Sequence, residues 1–329
     1  MRGASASSAP EFLVIHPVRI AHRGASGAGL APENTLAAFE SAIQMGVDVL
    51  EIDVRGSKDG GVVVIHDAMM DRTTNTTGSV SELTLEEIRQ ADAGSWAGPS
   101  FKDQRVPLLE EVLDLARHRA LVLVEIKGDY IGERTLQIID DLNATSYVLL
   151  QSFSAETVRR VKALNPAIPT ALLVGKLPTS PSRVRARRMV SEVLEVGANA
   201  IAIWHATLTP PFFEEMRKRA IGVWSWTVDE EVIMRDMVQM GVQGIITNYP
   251  NRLNAVLAEL EVEGVVQIPL GRRQRLKPSR WRRRRRIKKI ARRRKSSSCR
   301  SGWFSQFRPA AIEYTCAANL QPDPRTPPQ

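Results

Sequence analysis

The sequence predicts an α/β chain folded as a (β/α)8 TIM barrel, with an insertion after strand 2 and a disordered basic C-terminal tail. Three observations predict the barrel. Eight short apolar runs alternate with eight amphipathic segments over about 245 residues, the size typical of that fold. The runs are rich in Val and Ile and apolar throughout, as strands buried on both faces are. Polar clusters fall at the C-terminal ends of the runs, where such barrels build their sites. Strict alternation implies parallel strands. A doubly wound sheet is the competing architecture; unit number and the placement of the polar residues favour the barrel.

The elements follow in order. The first run, 18–21, precedes a helical pattern over 33–45 that Pro32 introduces and Gly46 ends. The second run, 49–54, leads into residues 56–106, which break the rhythm. A short strand at 62–65 and then DRTTNTTGSVSELTLEEIRQADAGSWAG form an insertion before the helix at 108–118. The third run, 121–126, precedes a helix over 133–142. The fourth, 147–150, precedes 155–164, which Ser154 can cap. The fifth, 170–174, precedes 183–196, closed by Gly197. The sixth, 200–204, precedes 210–220, opened by Thr209-Pro210. The seventh, 222–226, precedes 229–240, closed by Gly241. The eighth, 244–247, precedes the last helix at 250–260. The barrel therefore spans 18–262.

Charge divides the chain. Of the net +9, residues 271–329 carry 19 Lys/Arg against two acids, Glu313 and Asp323. Residues 1–270 carry 26 Lys/Arg against 34 acids, so the body is mildly acidic and is not built to bind nucleic acid. No apolar run reaches transmembrane length. Cys299 and Cys316, the only cysteines, lie in the tail, which excludes a disulfide framework or a Cys-ligated zinc in the body. Residues 1–17 read as a flexible N-terminus without the apolar core of a secretory signal, and a cytoplasmic location is expected. From 280 to 295, 12 of 16 residues are Lys or Arg. Their self-repulsion opposes packing, so 271–329 is expected to be disordered. That run could meet an anionic membrane surface or a nonspecific polyanion, without sequence-specific nucleic-acid recognition; a solvated tail is the alternative.

The strand ends carry the chemistry. His22-Arg23-Gly24 follows the first run, Glu51 and Asp53 lie in the second, His66-Asp67 follows the insertion strand, and Glu125 and Lys127 end the third. Glu51 and Asp53 are two apart and so share a side of a strand. Carboxylates crowded in a low-dielectric mouth would protonate unless a cation sits among them. Glu125 adds a third, and with no cysteine nearby the set suggests a hard divalent cation, Mg²⁺ or Ca²⁺. A metal-free network paired to Arg23 and Lys127 is the alternative. His22 and His66 suit proton transfer near neutral pH, although either alone reads equally as a buried, hydrogen-bonded imidazole. Arg23 and Lys127 suit a phosphate, by fork and by point charge, and Gly24 allows close backbone approach.

At these residues the chain resembles the glycerophosphodiester phosphodiesterase family. The matching stretches are AHRGASG and APENTLAAF within 21–39, GVDVLEIDV (46–54), VVVIHD (62–67), DRTTNTTGSVSELTLEEI (71–88), VEIKG (124–128), VWSWTVD (223–229) and GIITNYP (244–250). The resemblance implies a (β/α)8 barrel, His22 and His66 as the acid–base pair, and Glu51, Asp53 and Glu125 as metal ligands. It also implies Arg23 and Lys127 at the phosphate. Glu33 is expected at the mouth, Asn34 as a structural cap, and Trp226 as an apolar wall for the glycerol or alcohol moiety, ordinary barrel packing being the other reading. The implied reaction is metal-dependent hydrolysis of a small-molecule glycerophosphodiester to sn-glycerol 3-phosphate and an alcohol; the sequence assigns neither the nucleophile, water or a glycerol hydroxyl, nor which histidine is base and which acid, and His22 is taken as the base. A lysophospholipase D and a catalytically idle binding barrel are the alternatives. Asp229 stands where relatives commonly carry Asn, a departure that bears on substrate preference rather than on the reaction.

Overall fold

Nine strands form one sheet, and eight of them close on themselves. They are β1 (Val18–His22), β2 (Val49–Gly56), β3 (Val62–Val64), β4 (Leu121–Ile126), β5 (Val148–Ser152), β6 (Thr170–Val174), β7 (Ala200–Trp204), β8 (Gly222–Trp226) and β9 (Gly244–Thr247). All but β3 are parallel neighbours in chain order, and β1 pairs with both β2 and β9, which closes the barrel. β3 is antiparallel to β2 and belongs to the insertion. The computed structural model describes residues 16–177 and 182–266. The expectations for residues 1–15 and for the tail at 271–329 with its 280–295 run lie outside the described residues.

The α-helices among the described residues are α1 (Leu36–Gln44), α2 (Leu85–Gln90), α3 (Leu109–Ala116), α4 (Gly132–Asp141), α5 (Ala155–Leu164), α6 (Arg183–Glu195), α7 (Pro210–Arg217), α8 (Glu231–Met240) and α9 (Pro250–Val262), with short 3-10 turns between some elements. Helices pack on the outside of the strands through clusters such as Phe39, Leu50, Leu113 and Ile139, all fully buried. Each such side chain contributes about 1.5–3 kcal/mol. Inside the barrel lies an apolar layer: Ile20, Val49, Leu123, Leu173, Ala202 and Ile246, with Leu149 and Trp224 packed against it. The insertion has a small core of its own, including Val63, Ile65, Met70, Val80 and Ile88. No described helix is long and apolar enough to cross a membrane.

The structure revises several expected ends. The first helix begins at Leu36 rather than 33, because Asn34 adopts φ 55° and Thr35 is the residue whose side chain caps it, accepting from Ala38 N. Asn34 is thus not the cap. The last-but-one helix begins at Glu231 rather than 229, since the Asp229 carboxylate is engaged by the loop after β9. The insertion holds a helix, α2, that the strand-by-strand reading did not name. Its Thr84 and Glu87 form a capping box, a pattern visible in the sequence. Ser154 caps α5 as expected, accepting from Thr157 N, and Gly46, Gly197 and Gly241 all take positive φ.

Candidate active site

The pleat carries the apolar interior layer into a polar one. Two residues beyond Ile20 stands His22; beyond Val49, Glu51 and then Asp53; beyond Leu123, Glu125 and then Lys127. Two residues beyond Leu149 stands Gln151, then Phe153; beyond Trp224, Trp226; beyond Ile246, Asn248. Side chains two apart share a face, so one layer of chemistry sits directly above one layer of packing.

Glu51, Asp53 and Glu125 bring carboxylate oxygens within 4.8 Å of one another, and all three are buried. At that separation two like charges repel by about 3 kcal/mol at an effective dielectric near 20. Asp53 is the most heavily compensated. Lys127 Nζ lies 3.0 Å from Oδ1, Arg23 Nε 3.2 Å from Oδ2, and Asn34 Nδ2 donates to Oδ2 at 2.8 Å. Burial works to raise its pKa, but Lys127 and Arg23 outweigh it and hold Asp53 below the usual carboxylate range. Glu51 takes neutral donors, the Arg23 backbone N–H at 2.9 Å and Gln151 Nε2 at 3.2 Å. Burial, then repulsion from Asp53 and Glu125, pushes it well above its ordinary value. Glu125 is 2.5 Å from Lys127, yet burial and Asp53 still push it up to about 7.

The two imidazoles have different supports. His22 Nδ1 lies 2.7 Å from Asn248 Oδ1. Its burial, and then the adjacent Arg23, pulls it down to about 4. His66 Nδ1 lies 2.6 Å from Asp67 Oδ1, and Arg72 donates to Asp67 Oδ2 at 2.5 Å and to both oxygens of Glu33 at 2.8 Å. Burial lowers His66 most, with Asp53 and the Asp67 bond acting the other way. Glu33 also accepts from Arg23 Nη1 at 2.7 Å.

A cavity of about 140 Å³ collects these groups. One wall is charged: His22, Arg23, Glu51, His66, Glu125 and Lys127. The other is apolar: Phe153, Leu173, Trp226 and Ile246. Phe153 meets Trp226 edge-on at 5.7 Å between ring centroids. Of the residues predicted from sequence, only Asp53 and Glu33 do not line this cavity. Asp53 is bonded to Arg23 and Lys127, which do, and Glu33 joins Arg23 to Arg72. Sequence reasoning missed Gln151, Phe153, Asp67, Arg72 and Asn248 as participants. Gln151 could have been found, because Leu149-Gln151-Phe153 repeats the period-two rise of the neighbouring strand. Arg72 could not, since its partners Glu33 and Asp67 are brought to it only by the fold.

The three carboxylates fit a hard divalent cation. Glu51 and Glu125 are strained toward protonation by burial and mutual repulsion, and a cation among the oxygens relieves that. The arrangement also offers two basic groups and two imidazoles to one small polar molecule.

Comparison with known proteins gives concordant matches. The family model for the glycerophosphoryl diester phosphodiesterase family matches residues 22–252. A glycerophosphodiester phosphodiesterase of Caldanaerobacter subterraneus subsp. tengcongensis is 37% identical over 240 residues, covering 71% of this chain and 95% of that protein. The crystal structure of a glycerophosphodiester phosphodiesterase from Agrobacterium tumefaciens is 30% identical with a TM-score of 0.63, over 73% of this chain and all of that one (100%). A phosphodiesterase of Oleispira antarctica, solved with its product sn-glycerol-3-phosphate, is 27% identical with a TM-score of 0.65, over 75% and 98%.

Proposed function

The chain belongs to the glycerophosphoryl diester phosphodiesterase family and is a phosphoric diester hydrolase, and from that premise we propose that it cleaves a glycerophosphodiester to sn-glycerol 3-phosphate and an alcohol by paired imidazole catalysis. The observation that carries this reading is the sharing of one small cavity by two imidazoles, two phosphate-suited cations and a buried carboxylate cluster. The Oleispira relative bound to sn-glycerol-3-phosphate supports the product side.

Arg23 and Lys127 orient the phosphate, the first by its fork and the second by its point charge. His22 is the base. With Asn248 accepting from Nδ1–H, its Nε2 lone pair takes the proton of the attacking hydroxyl, whether of water or of the neighbouring glycerol carbon. The new P–O bond forms as the P–O bond to the alcohol breaks; with water this gives sn-glycerol 3-phosphate directly, and with the glycerol hydroxyl it gives a cyclic phosphate whose ring P–O bond water then opens. His66 is the acid: the Asp67 carboxylate accepts from its Nδ1–H and favours the cationic ring, which hands its Nε2 proton to the departing oxygen. Glu51, Asp53 and Glu125 would hold Mg²⁺ or Ca²⁺, which when bound supplies positive charge to the phosphoryl oxygens. Trp226 and Phe153 form the wall against which the alcohol or glycerol carbons lie. A lysophospholipase D would need an apolar groove at the insertion to seat an acyl chain, and turnover of a lysophospholipid beside glycerophosphocholine separates the two readings.

The test is turnover of glycerophosphocholine. His22→Ala and His66→Ala should each lower kcat by about 10²–10⁴-fold, and chelator should abolish activity that Mg²⁺ or Ca²⁺ restores. Wild-type rates in both variants, or full activity in excess chelator, would overturn the reading. For the run at 280–295 we propose contact with anionic surfaces, tested by vesicle binding with and without residues 271–329 across a salt series.

A further inference from the structure

Behind His22, on the side away from the carboxylates' own strands, two loop residues form a chain of hydrogen bonds. Asn248, beyond β9, places Oδ1 2.7 Å from His22 Nδ1. Its Nδ2 donates to Asp229 Oδ2 at 2.7 Å, and its backbone N–H donates to Asp229 Oδ1 at 2.9 Å. Thr247 Oγ1 donates to the same Oδ1 at 3.1 Å. Asp229, beyond β8, is therefore pinned by three donors from the β9 exit.

An amide has two faces of opposite polarity, and its environment chooses which points where. A carboxylate accepts only, so Asp229 requires the NH₂ end of Asn248. The carbonyl end is then left for His22, and a carbonyl requires a donor. The His22 ring must carry its hydrogen on Nδ1, which leaves Nε2 as the nitrogen without one in the neutral ring. Ser26 Oγ gives its one hydrogen to the His22 carbonyl at 2.7 Å and lies 3.1 Å from Asn248 Oδ1, so the polarity of the amide is set by Asp229 and not by Ser26.

We propose that Asp229 and Asn248 are positioning residues for His22, with Asp229 acting through the amide of Asn248 to select the Nδ1–H tautomer. The proposal rests on the reading of His22 as the base. It gives Asp229 a part in the reaction itself, not only in the substrate preference that its departure from the relatives' common Asn suggests: a tie between β8 and β9 would hold the loops, whereas this pair sets where one hydrogen sits.

The experiment reads the tautomer in the resting protein, by ¹⁵N NMR of His-labelled chain, alongside steady-state kinetics on glycerophosphocholine. In the wild type at pH 8, His22 Nδ1 should be protonated and Nε2 bare. Asp229→Asn frees the amide to turn, so a second tautomer should appear, and kcat should fall about 10- to 100-fold with KM changed less than about threefold. The double variant D229N/N248D places an obligate acceptor against His22 and an amide behind it. It should restore the single tautomer and recover about tenfold in kcat over D229N. A single Nδ1–H tautomer in folded D229N, an unchanged kcat, or a double variant no better than D229N would overturn the proposal. Because the tautomer is read without turnover, it judges the pair separately from His22 itself. Full activity in His22→Ala would instead overturn the reading of His22 as base.

Discussion

The two walls of the cavity are built on different physics. On the side of β1, β2 and β4 the lining groups are ionisable, buried or partly buried, and held by partners, among them Asp53 just behind the wall, which Arg23, Lys127 and Asn34 contact. On the side of β5 to β9, Phe153, Leu173, Trp226 and Ile246 are apolar, and half-exposed Phe153 reaches toward the opening. The difference teaches a division of labour. Under the proposed reaction, fixed charges would meet the phosphate that every glycerophosphodiester shares, while the apolar wall would meet carbons of the glycerol or the alcohol. Breaking one wall should damage rate and fold, and breaking the other should damage affinity.

The largest effect is expected at Asp53. Asp53→Asn removes the counter-charge that Arg23 and Lys127 share and leaves each with one carboxylate, Glu33 and Glu125, which should cost about 1.5–3 kcal/mol of stability and reduce turnover below detection. Urea unfolding and the phosphodiesterase assay measure the two losses. A variant that is both stable and active would show that the charged wall is not held through this residue.

Glu125 should behave in the opposite sense. Its folded value, about 7, lies above its ordinary one, so it contributes stability below about pH 4.5 and loses it as pH rises through 7. That shift corresponds to on the order of 3 kcal/mol. In chelated protein, Glu125→Gln should therefore raise Tm by several degrees at pH 8 and have little effect at pH 4.5, while activity in the presence of metal falls. An equal effect at both pH values would mean that ionisation of this carboxyl is not the strain.

The smallest effect belongs to the apolar wall. Trp226→Ala should raise KM about tenfold and leave kcat within about threefold. A kcat loss as deep as that of the histidine variants would erase the contrast between the walls.

The two walls also differ in how far they were legible. Barrel strands were readable because burial on both faces leaves them no polar alternation, and His22, Glu51, Asp53, His66 and Glu125 stood out as polar residues in apolar surroundings. Gln151 stood in the same kind of place but carries no charge, and so drew no attention. Phe153 was hidden by being apolar in an apolar run. Asn248 and Asp229 were visible as motif letters, yet their joint action depends on two strand exits 19 residues apart meeting in space. Asn34 was misread as a cap because Asn suits that position, whereas the left-handed turn at φ 55° aims its amide at Asp53.

His66 does not stand on a stave of the barrel. It follows β3, the antiparallel strand of an added hairpin whose own apolar cluster, Val63 to Ile88, is distinct from the barrel's. One of the two cavity imidazoles is thus borne by the insertion, clipped to the parent fold through Asp67, Arg72 and Glu33. Loop transplants between relatives that carry the hairpin without that clip should deliver the ring but leave it unaimed.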